Sequence, residues 1–167
     1  MDLGGDIHAT NNHRINLMHV SAQGDQATSI VFLQKQGLDI NSRDLKNSTP
    51  LHWASYAGAE TAIVYLLAFG AKVNARDVEG HTPLHLAVKS AEENKNTRTV
   101  KHLLLSGADR NIRVRNLAPL NLFFIQDHRD KKAIDIAEEI RFENVQLELV
   151  RLLVGIPDLI IVILCTE

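Results

Sequence analysis

The chain has 167 residues and a formal net charge of −2, and 45% of its residues are hydrophobic. These values describe a globular protein of one domain or a few short repeats, and the mixed charge offers no basic field for nucleic acid. The single cysteine excludes an internal disulfide, and the histidines lack the local pairing of a zinc module. We therefore expect a protein of a reducing compartment, the cytoplasm.

A 33-residue period organises the chain. His19, His52 and His85 follow one another at equal steps of one period, and the string Gly37 to Asn41 recurs as Gly70 to Asn74 at the same step. Such a step indicates a repeat protein, in which units too small to bury their own apolar face stack to share one core.

The chain begins inside this period. The string Gly4 to Ile7 matches Gly37 to Ile40 at a distance of one period. We therefore interpret residues 1–10 as the tail of an incomplete leading repeat, and we infer that the helices that would cap this side of the stack are missing.

Each following unit carries signals for two helices. Thr49 and Thr82 are predicted to cap a helix, because a hydroxyl accepts a hydrogen bond from a free backbone N–H, and the proline after each suits the first helical position. Glycine is predicted to end the second helices at Gly37, Gly70 and Gly107, in the left-handed conformation. The pattern predicts three units, each with a helix, a turn, a second helix and an extended turn: 11–43, 44–76 and 77–113.

The third unit is longer than the second. Its interval from His85 to Gly107 exceeds the matching interval from His52 to Gly70 by four residues. The stretch Ala91 to Thr97 is polar and lies between the two predicted helices. We therefore predict that the four-residue insertion forms a surface loop there.

Residues 114–126 do not fit the register. Their removal would join Arg113 to Asp127 and restore the Arg-Asp pair found in the two upstream units. The segment contains the apolar string Asn121 to Ile125, whereas projecting turns are ordinarily polar. Two interpretations stay open: a functional loop that inserts into a partner, and a translated intron, since Val and Gln codons at its ends allow GT and AG boundaries.

The last part of the chain departs further from the period. Residues 127–154 carry apolar side chains at helical spacing and are predicted to form a divergent C-terminal repeat. Residues 155–167 form an apolar tail, which either packs over the last repeat or is the out-of-place end of a truncated chain. Its longest apolar run, Leu159 to Cys165, has seven residues, against about 20 needed to span a bilayer. No membrane span is expected in this chain.

The Thr-Pro-Leu-His strings that start at Thr49 and Thr82, the Gly-Ala-x-x-Asn string at Gly70 and the 33-residue period resemble the ankyrin repeat. The resemblance implies an all-α fold, an ankyrin-repeat solenoid of stacked helix-turn-helix units with projecting β-turns. It also implies that a partner protein binds to the projecting turns and to the outer side of the first helices. Ten residues correspond to this surface: Leu45, Lys46, Ser48, Tyr56, Ala57, Val78, Glu79, His81, Lys89 and Ser90.

These surface positions differ between the second and third units, whereas the Thr, Pro, Leu, His and Gly positions repeat. That contrast is expected if the scaffold is fixed and the surface is free to vary. Tyr56 is the predicted anchor, because a partly exposed aromatic residue with a hydroxyl supplies contact area at low entropic cost. The alternative is a tyrosine that is merely solvated.

Signals for catalysis or metal binding are lacking in the sequence. It contains no glycine-rich phosphate loop, no nucleophile elbow and no helical His-x-x-x-His pair. His19, His52 and His85 are expected to bond neighbouring backbone, and Trp53 is expected to pack in the core. We therefore predict a chain without enzyme activity, cofactor or metal.

A narrower resemblance covers about Asn16 to Ile140. It is carried by four strings: Met18 to Gln26, Gly37 to Asp44, Thr49 to Ala54 and Thr82 to Ser90. These strings are similar to the N-terminal ankyrin region of Asp-His-His-Cys palmitoyltransferases, especially protist forms. In that family the repeats recruit substrates on the cytosolic side of a membrane, and a separate cysteine-rich domain performs S-acylation. Cys165 is not in an Asp-His-His-Cys setting, so no catalytic residue carries over.

Two functions therefore remain open at the level of the sequence. The first is a freestanding monomeric adaptor that binds another protein or a peptide. The second is the substrate-recruiting ankyrin portion of a truncated or fragmented S-acyltransferase.

Overall fold

The computed structural model of the chain describes residues 5–113, 132–138 and 143–154. These residues form helices and turns, and no strand occurs among them. The helices are α1 (Leu17–Gln23), α2 (Ala27–Lys35), α3 (Pro50–Ala57), α4 (Glu60–Ala68), α5 (Pro83–Asn94), α6 (Arg98–Leu105), α7 (Ala133–Glu138) and α8 (Glu143–Val154).

The first helices of the units begin at the predicted caps. Thr49 and Thr82 are extended residues at the N-cap positions of α3 and α5, and a proline opens each helix. Asn16 takes the same position before α1, where its side chain accepts a hydrogen bond from the N–H of His19. A side-chain oxygen at this position satisfies a backbone donor that the helix itself leaves free. The predicted cap positions are confirmed, and the hydroxyls of Thr49 and Thr82 lie 2.8 Å and 2.7 Å from Nδ1 of His52 and His85.

The second helices end as predicted at glycines. Gly37, Gly70 and Gly107 have φ of 86°, 87° and 87°, in the left-handed region that a Cβ atom disfavours. After α2 the N–H of Leu38 returns to the carbonyl oxygen of Leu33 at 3.1 Å, and the same bond follows α4 and α6. This bond pattern closes the helix and turns the chain towards the next unit.

The helices stack in two layers around one core. The first layer contains α1, α3, α5 and α7, and the second contains α2, α4, α6 and α8, with each helix packed on its neighbours in the layer. Side chains from matching positions of successive units form buried columns in this core: Met18, Leu51, Leu84, Ile30, Ile63, Val100, Leu33, Leu66 and Leu103. No single unit could bury these side chains alone, so the stack is the stable structure.

The four-residue insertion of the third unit is not the predicted surface loop. Helix α5 has 12 residues where α3 has eight, and it ends at Asn94 before the left-handed Lys95. Because about 3.6 residues make one helical turn, four extra residues extend the helix and leave its faces unchanged. The added turn packs rather than protrudes: Ala91 is fully buried, and Asn94 Nδ2 donates to the carbonyl oxygen of Ala57 at 3.5 Å.

The helices α7 and α8 continue the stack beyond the third unit. Helix α7 packs on α5, and α8 packs on α5 and α6. The Arg110 guanidinium also donates to the carbonyl oxygen of Leu153 at 2.8 Å, which links the two parts of the chain. The segment 114–126, residues 127–131 and the tail 155–167 lie outside the described residues, so the predictions made for them stay predictions.

Candidate binding groove

Within residues 5–113, three projecting turns precede the first helices of the units, at residues 11–15, 44–48 and 77–81. In each, the first N–H donates to the carbonyl oxygen of the fifth residue, as from Asp44 to Ser48 at 3.1 Å and from Asp77 to His81 at 3.0 Å. The fourth residue of each turn has a positive φ, and Gly80 occupies this position in the third turn. Asn47 and Gly80 adopt this conformation at low cost, so the local sequence favours the second and third turns, whereas Arg14 takes it in the first.

An acidic side chain closes the second and third turns from within. Asp44 Oδ1 accepts the N–H of Ser48 at 2.8 Å. Asp77 Oδ1 accepts the N–H of Glu79 at 2.9 Å and that of His81 at 2.8 Å. These hydrogen bonds satisfy backbone N–H groups of the two turns, a role that aspartate side chains commonly have at turns.

The three projecting turns form one continuous row. The N–H of Leu45 donates to the carbonyl oxygen of His13 at 2.9 Å, and the N–H of Val78 donates to that of Lys46 at 2.9 Å. Each bond joins one turn to the next. The row therefore presents side chains from different units along one side of the stack.

The three repeated histidines tie each first helix to the next unit. His52 Nδ1 accepts the N–H of Thr49 at 3.1 Å, and its Nε2 lies 3.1 Å from the carbonyl oxygen of His81. His19 makes the equivalent contacts to Asn16 and to the carbonyl oxygen of Ser48. The prediction that these rings bond neighbouring backbone is confirmed. His85 differs slightly, since its Nε2 reaches the carbonyl oxygen of Ile112 at 3.0 Å.

At His52 this geometry fits a neutral imidazole. Its Nδ1 accepts the N–H of Thr49 and lies 2.8 Å from the Thr49 hydroxyl, while Nε2–H donates to a carbonyl oxygen, and a protonated ring could not accept. The Nδ1 of His19 instead lies 2.7 Å from Asn16 Oδ1, an oxygen that only accepts. Burial lowers the pKa of His19 and of His52 below the ordinary 6.5, because the charged ring would lose its hydration. The hydrogen bonds to carbonyl oxygens raise the pKa, but by less than burial lowers it. The rings therefore serve the stack and are not placed as acid–base catalysts.

A groove lies between the row of projecting turns and the first helices. Its volume is about 420 Å³. Turn residues and residues of α1, α3 and α5 line it together: His13, Ile15, Gln23, Asp44, Leu45, Lys46, Ser48, His52, Trp53, Tyr56, Asp77, Glu79, His81, Leu86 and Lys89. The groove is thus assembled from three successive units.

Seven of the ten residues predicted to contact a partner line this groove: Leu45, Lys46, Ser48, Tyr56, Glu79, His81 and Lys89. The other three lie elsewhere. Val78 is 53% exposed at the third turn, and Ala57 is half-buried at the end of α3. Ser90 is buried, and its hydroxyl donates to the carbonyl oxygens of Ser55 and Ala87. We therefore remove Ser90 from the predicted surface, because the extended α5 packs this side chain against α3.

Trp53 does not pack in the core as predicted. Its side chain is half-buried and lines the groove, and its Nε1–H donates to Asp44 Oδ2 at 3.0 Å. The edge of the indole also meets the ring of His19, with centroids 5.8 Å apart. Trp53 is followed three residues later by Tyr56, so both rings lie on one side of α3. This three-residue spacing was the feature of the sequence that could have placed Trp53 in the groove beside Tyr56.

The 33-residue period also identifies groove residues that the sequence prediction left out. Gln23 precedes Tyr56 by one period, and Leu86 follows Trp53 by one period. His13 and Ile15 belong to the first turn, at the positions of Lys46 and Ser48. Applying the period to the first unit would have predicted His13, Ile15 and Gln23.

The third turn carries a charge cluster. His81 Nδ1 lies 3.3 Å from Asp77 Oδ2 and 3.5 Å from Glu79 Oε2. Burial by itself raises the pKa of Asp77, but hydrogen bonds from the ring and backbone of His81 outweigh it and hold that pKa below 3.8. Asp77 is therefore a carboxylate at neutral pH.

Neither a metal site nor a membrane span emerges from the described part of the chain. Within residues 5–113, 132–138 and 143–154, no three His, Cys, Asp or Glu side chains converge as metal ligands would. In the same residues, every helix is too short or too polar to cross a bilayer.

The stacked helix pairs, the projecting turns and the groove between them define a helical repeat protein. The family model of ankyrin repeats matches residues 17–114 in three copies, which is more than half of the chain. The chain belongs to the ankyrin-repeat family. Repeats of this family are generally protein–protein interaction modules and typically not catalytic. No curated protein matches the chain.

Proposed function

We propose that this chain is a protein-interaction scaffold, an ankyrin-repeat adaptor that binds a partner protein or peptide in the groove. The observation that supports the proposal is that one groove gathers side chains from three units, most of them at positions where the repeats differ in sequence. The positions that repeat are buried or bonded within the stack. Concave surfaces of this kind are used for binding in stacked-repeat proteins.

Tyr56 is the proposed anchor of this interaction. Its side chain is 52% exposed and lines the groove beside Trp53. Its hydroxyl has no hydrogen-bond partner in residues 5–113 or in the two described C-terminal helices. An aromatic residue with a free hydroxyl can bury large area and form a new hydrogen bond, which is the profile of a binding hot spot.

The test is to replace Tyr56 by alanine. We expect Tyr56→Ala to weaken binding of an isolated partner by more than about 1 kcal/mol, as measured by calorimetry, while thermal unfolding shows an intact stack. Tyr65→Ala is the matched control, because Tyr65 is 39% exposed on α4, away from the groove. Unchanged affinity in Tyr56→Ala would remove this anchor, and equal losses in both variants would contradict the groove as the binding site.

A second candidate is that the chain is the substrate-recruiting ankyrin portion of an Asp-His-His-Cys-type S-acyltransferase. The similarity of the strings Met18 to Gln26 and Thr82 to Ser90 to that family supports it. Such a protein would work at the cytosolic face of a membrane.

Sequencing of the native transcript tests this candidate. We expect a message that omits the codons for residues 114–126 and continues beyond Glu167 into apolar spans and a cysteine-rich segment. A message that retains those codons and stops after Glu167 would contradict the S-acyltransferase candidate, and the adaptor would then be the remaining proposal.

A further inference from the structure

The carboxylates that line the groove are held by the protein itself. Both oxygens of Asp44 accept hydrogen bonds, from the N–H of Ser48 and from the Trp53 indole. Asp77 accepts two backbone N–H groups and lies next to His81. Both carboxylates therefore already have hydrogen-bond partners within the protein, although each keeps its negative charge.

The lysines of the groove are in the opposite situation. Lys46 lies on the second projecting turn and Lys89 lies on α5, and both side chains are exposed. In the part of the chain that the structure describes, neither ammonium group has an ion pair or hydrogen bond. Elsewhere in the stack, acidic and basic side chains do meet, as Glu60 meets Arg98 at 3.7 Å. The groove therefore has two cationic groups available from two different units.

Apolar surface accompanies these cations. Tyr56 and Trp53 lie on α3, and Leu86 lies on α5 at the position that matches Trp53. The aromatic rings offer contact area to a ligand, and the lysines favour a ligand that carries negative charge. Charged groups at the rim of an interface chiefly decide which partner binds and how fast.

We infer that the groove selects an acidic protein segment, in which an apolar or aromatic side chain packs on Tyr56 and Trp53 while Asp or Glu carboxylates meet Lys46 and Lys89. This inference rests on the proposed function, because it names the partner chemistry of the same groove. The groove has no net positive charge, because Asp44, Asp77 and Glu79 line it together with the two lysines. The inference rests on the lysines, which are unpaired in the described residues, whereas the Glu79 carboxylate lies 3.5 Å from His81 Nδ1.

The experiment uses a displayed library of random dodecapeptides as the probe. The library is selected on the full chain and then counter-selected on Tyr56→Ala, which retains only peptides that depend on the groove. We expect the retained peptides to contain more Asp and Glu than Lys and Arg, relative to the starting library. Retained peptides that are neutral or basic would overturn the inference.

Affinities of the retained peptides then test the two lysines. In fluorescence anisotropy, Lys46→Gln and Lys89→Gln should each weaken an acidic peptide by about two- to fivefold, the usual range for an exposed ion pair. The same peptide with Glu replaced by Gln should bind the two variants and the unchanged protein alike. Lys101→Gln is the matched control, because Lys101 is an exposed lysine of α6 outside the groove.

The outcomes separate the inference from the proposed function. If peptides depend on Tyr56 but are indifferent to Lys46 and Lys89, the acidic preference is wrong and the binding groove stands. If selection yields no peptide that depends on Tyr56, the groove itself is contradicted as a peptide site. A preference for acidic peptides that falls with added salt supports the inference, because salt screens exposed charges.

Discussion

The first helices contribute neighbouring positions to two regions. One is the base of the projecting turns, where His19 and His52 bond to backbone, and the other is the groove beside it. At the base, His19 and His52 repeat, are buried and make the same bonds to backbone. In the groove, the column of Gln23, Tyr56 and Lys89 changes at every step and stays exposed. Stacking requires the same bond at each step, whereas the side chains of this column make no hydrogen bond to a neighbouring unit in the described residues. The first region should therefore control stability, and the second should control binding.

The largest expected effect is on the buried side of α3. Leu51→Ala should lower the free energy of unfolding by about 2–5 kcal/mol, because Leu51 is fully buried and its truncation leaves a cavity between units. Leu45→Ala is the matched control, since Leu45 is 57% exposed in the groove and should change stability by less than about 0.5 kcal/mol. Urea unfolding measures both. Similar losses of unfolding free energy in the two variants would contradict the assignment of stability to the buried side of the helices and of binding to the groove.

A smaller effect is expected at Trp53, where the two regions meet. Trp53→Phe keeps an aromatic ring in the groove but removes the Nε1–H donor to Asp44, whose side chain is buried. The loss of a hydrogen bond to a charged group should cost about 1.5 kcal/mol in unfolding free energy. Leu86→Ala serves as a comparison at the matching position of α5, which has no such polar contact. A Trp53→Phe variant as stable as the unchanged protein would show that this bond does not stabilise the turn.

Acidification gives the most gradual change. Because burial lowers the pKa of His19 and His52 in the folded chain, their neutral forms stabilise the stack above about pH 6.5, and this stability falls as the pH drops below that value. Asp77, whose pKa is lowered from 3.8, keeps its own contribution until more acidic pH. Unfolding free energies measured between pH 7.5 and about pH 4.5 should therefore report mainly the histidines.

Two variants sharpen this pH prediction. His52→Ala should be less stable at neutral pH and should lose stability less steeply on acidification, because one buried titrating ring is gone. His13→Ala, which removes an exposed histidine of the groove, is the matched control for the loss of a ring. A flat stability profile in the unchanged protein would contradict the buried neutral rings.

The sequence by itself determined the repeat, the helix starts and the helix ends. Thr49, Thr82 and the glycines at 37, 70 and 107 act through local backbone geometry, which depends on residue type and a few neighbours. The 33-residue period also predicted that the units stack around one core, because the same position of every unit meets the same position of the next. Local chemistry and periodicity were sufficient for these features.

Only the tertiary structure decided which side chains face the groove and which charges remain available. Four extra residues extend α5 by a turn that buries Ala91, and the preceding Ser90 packs against α3. The indole of Trp53 turns to Asp44, and Lys46 and Lys89 are left without partners in the described residues. These outcomes depend on contacts between units that are distant in sequence, and such contacts have no local signature in the residues themselves.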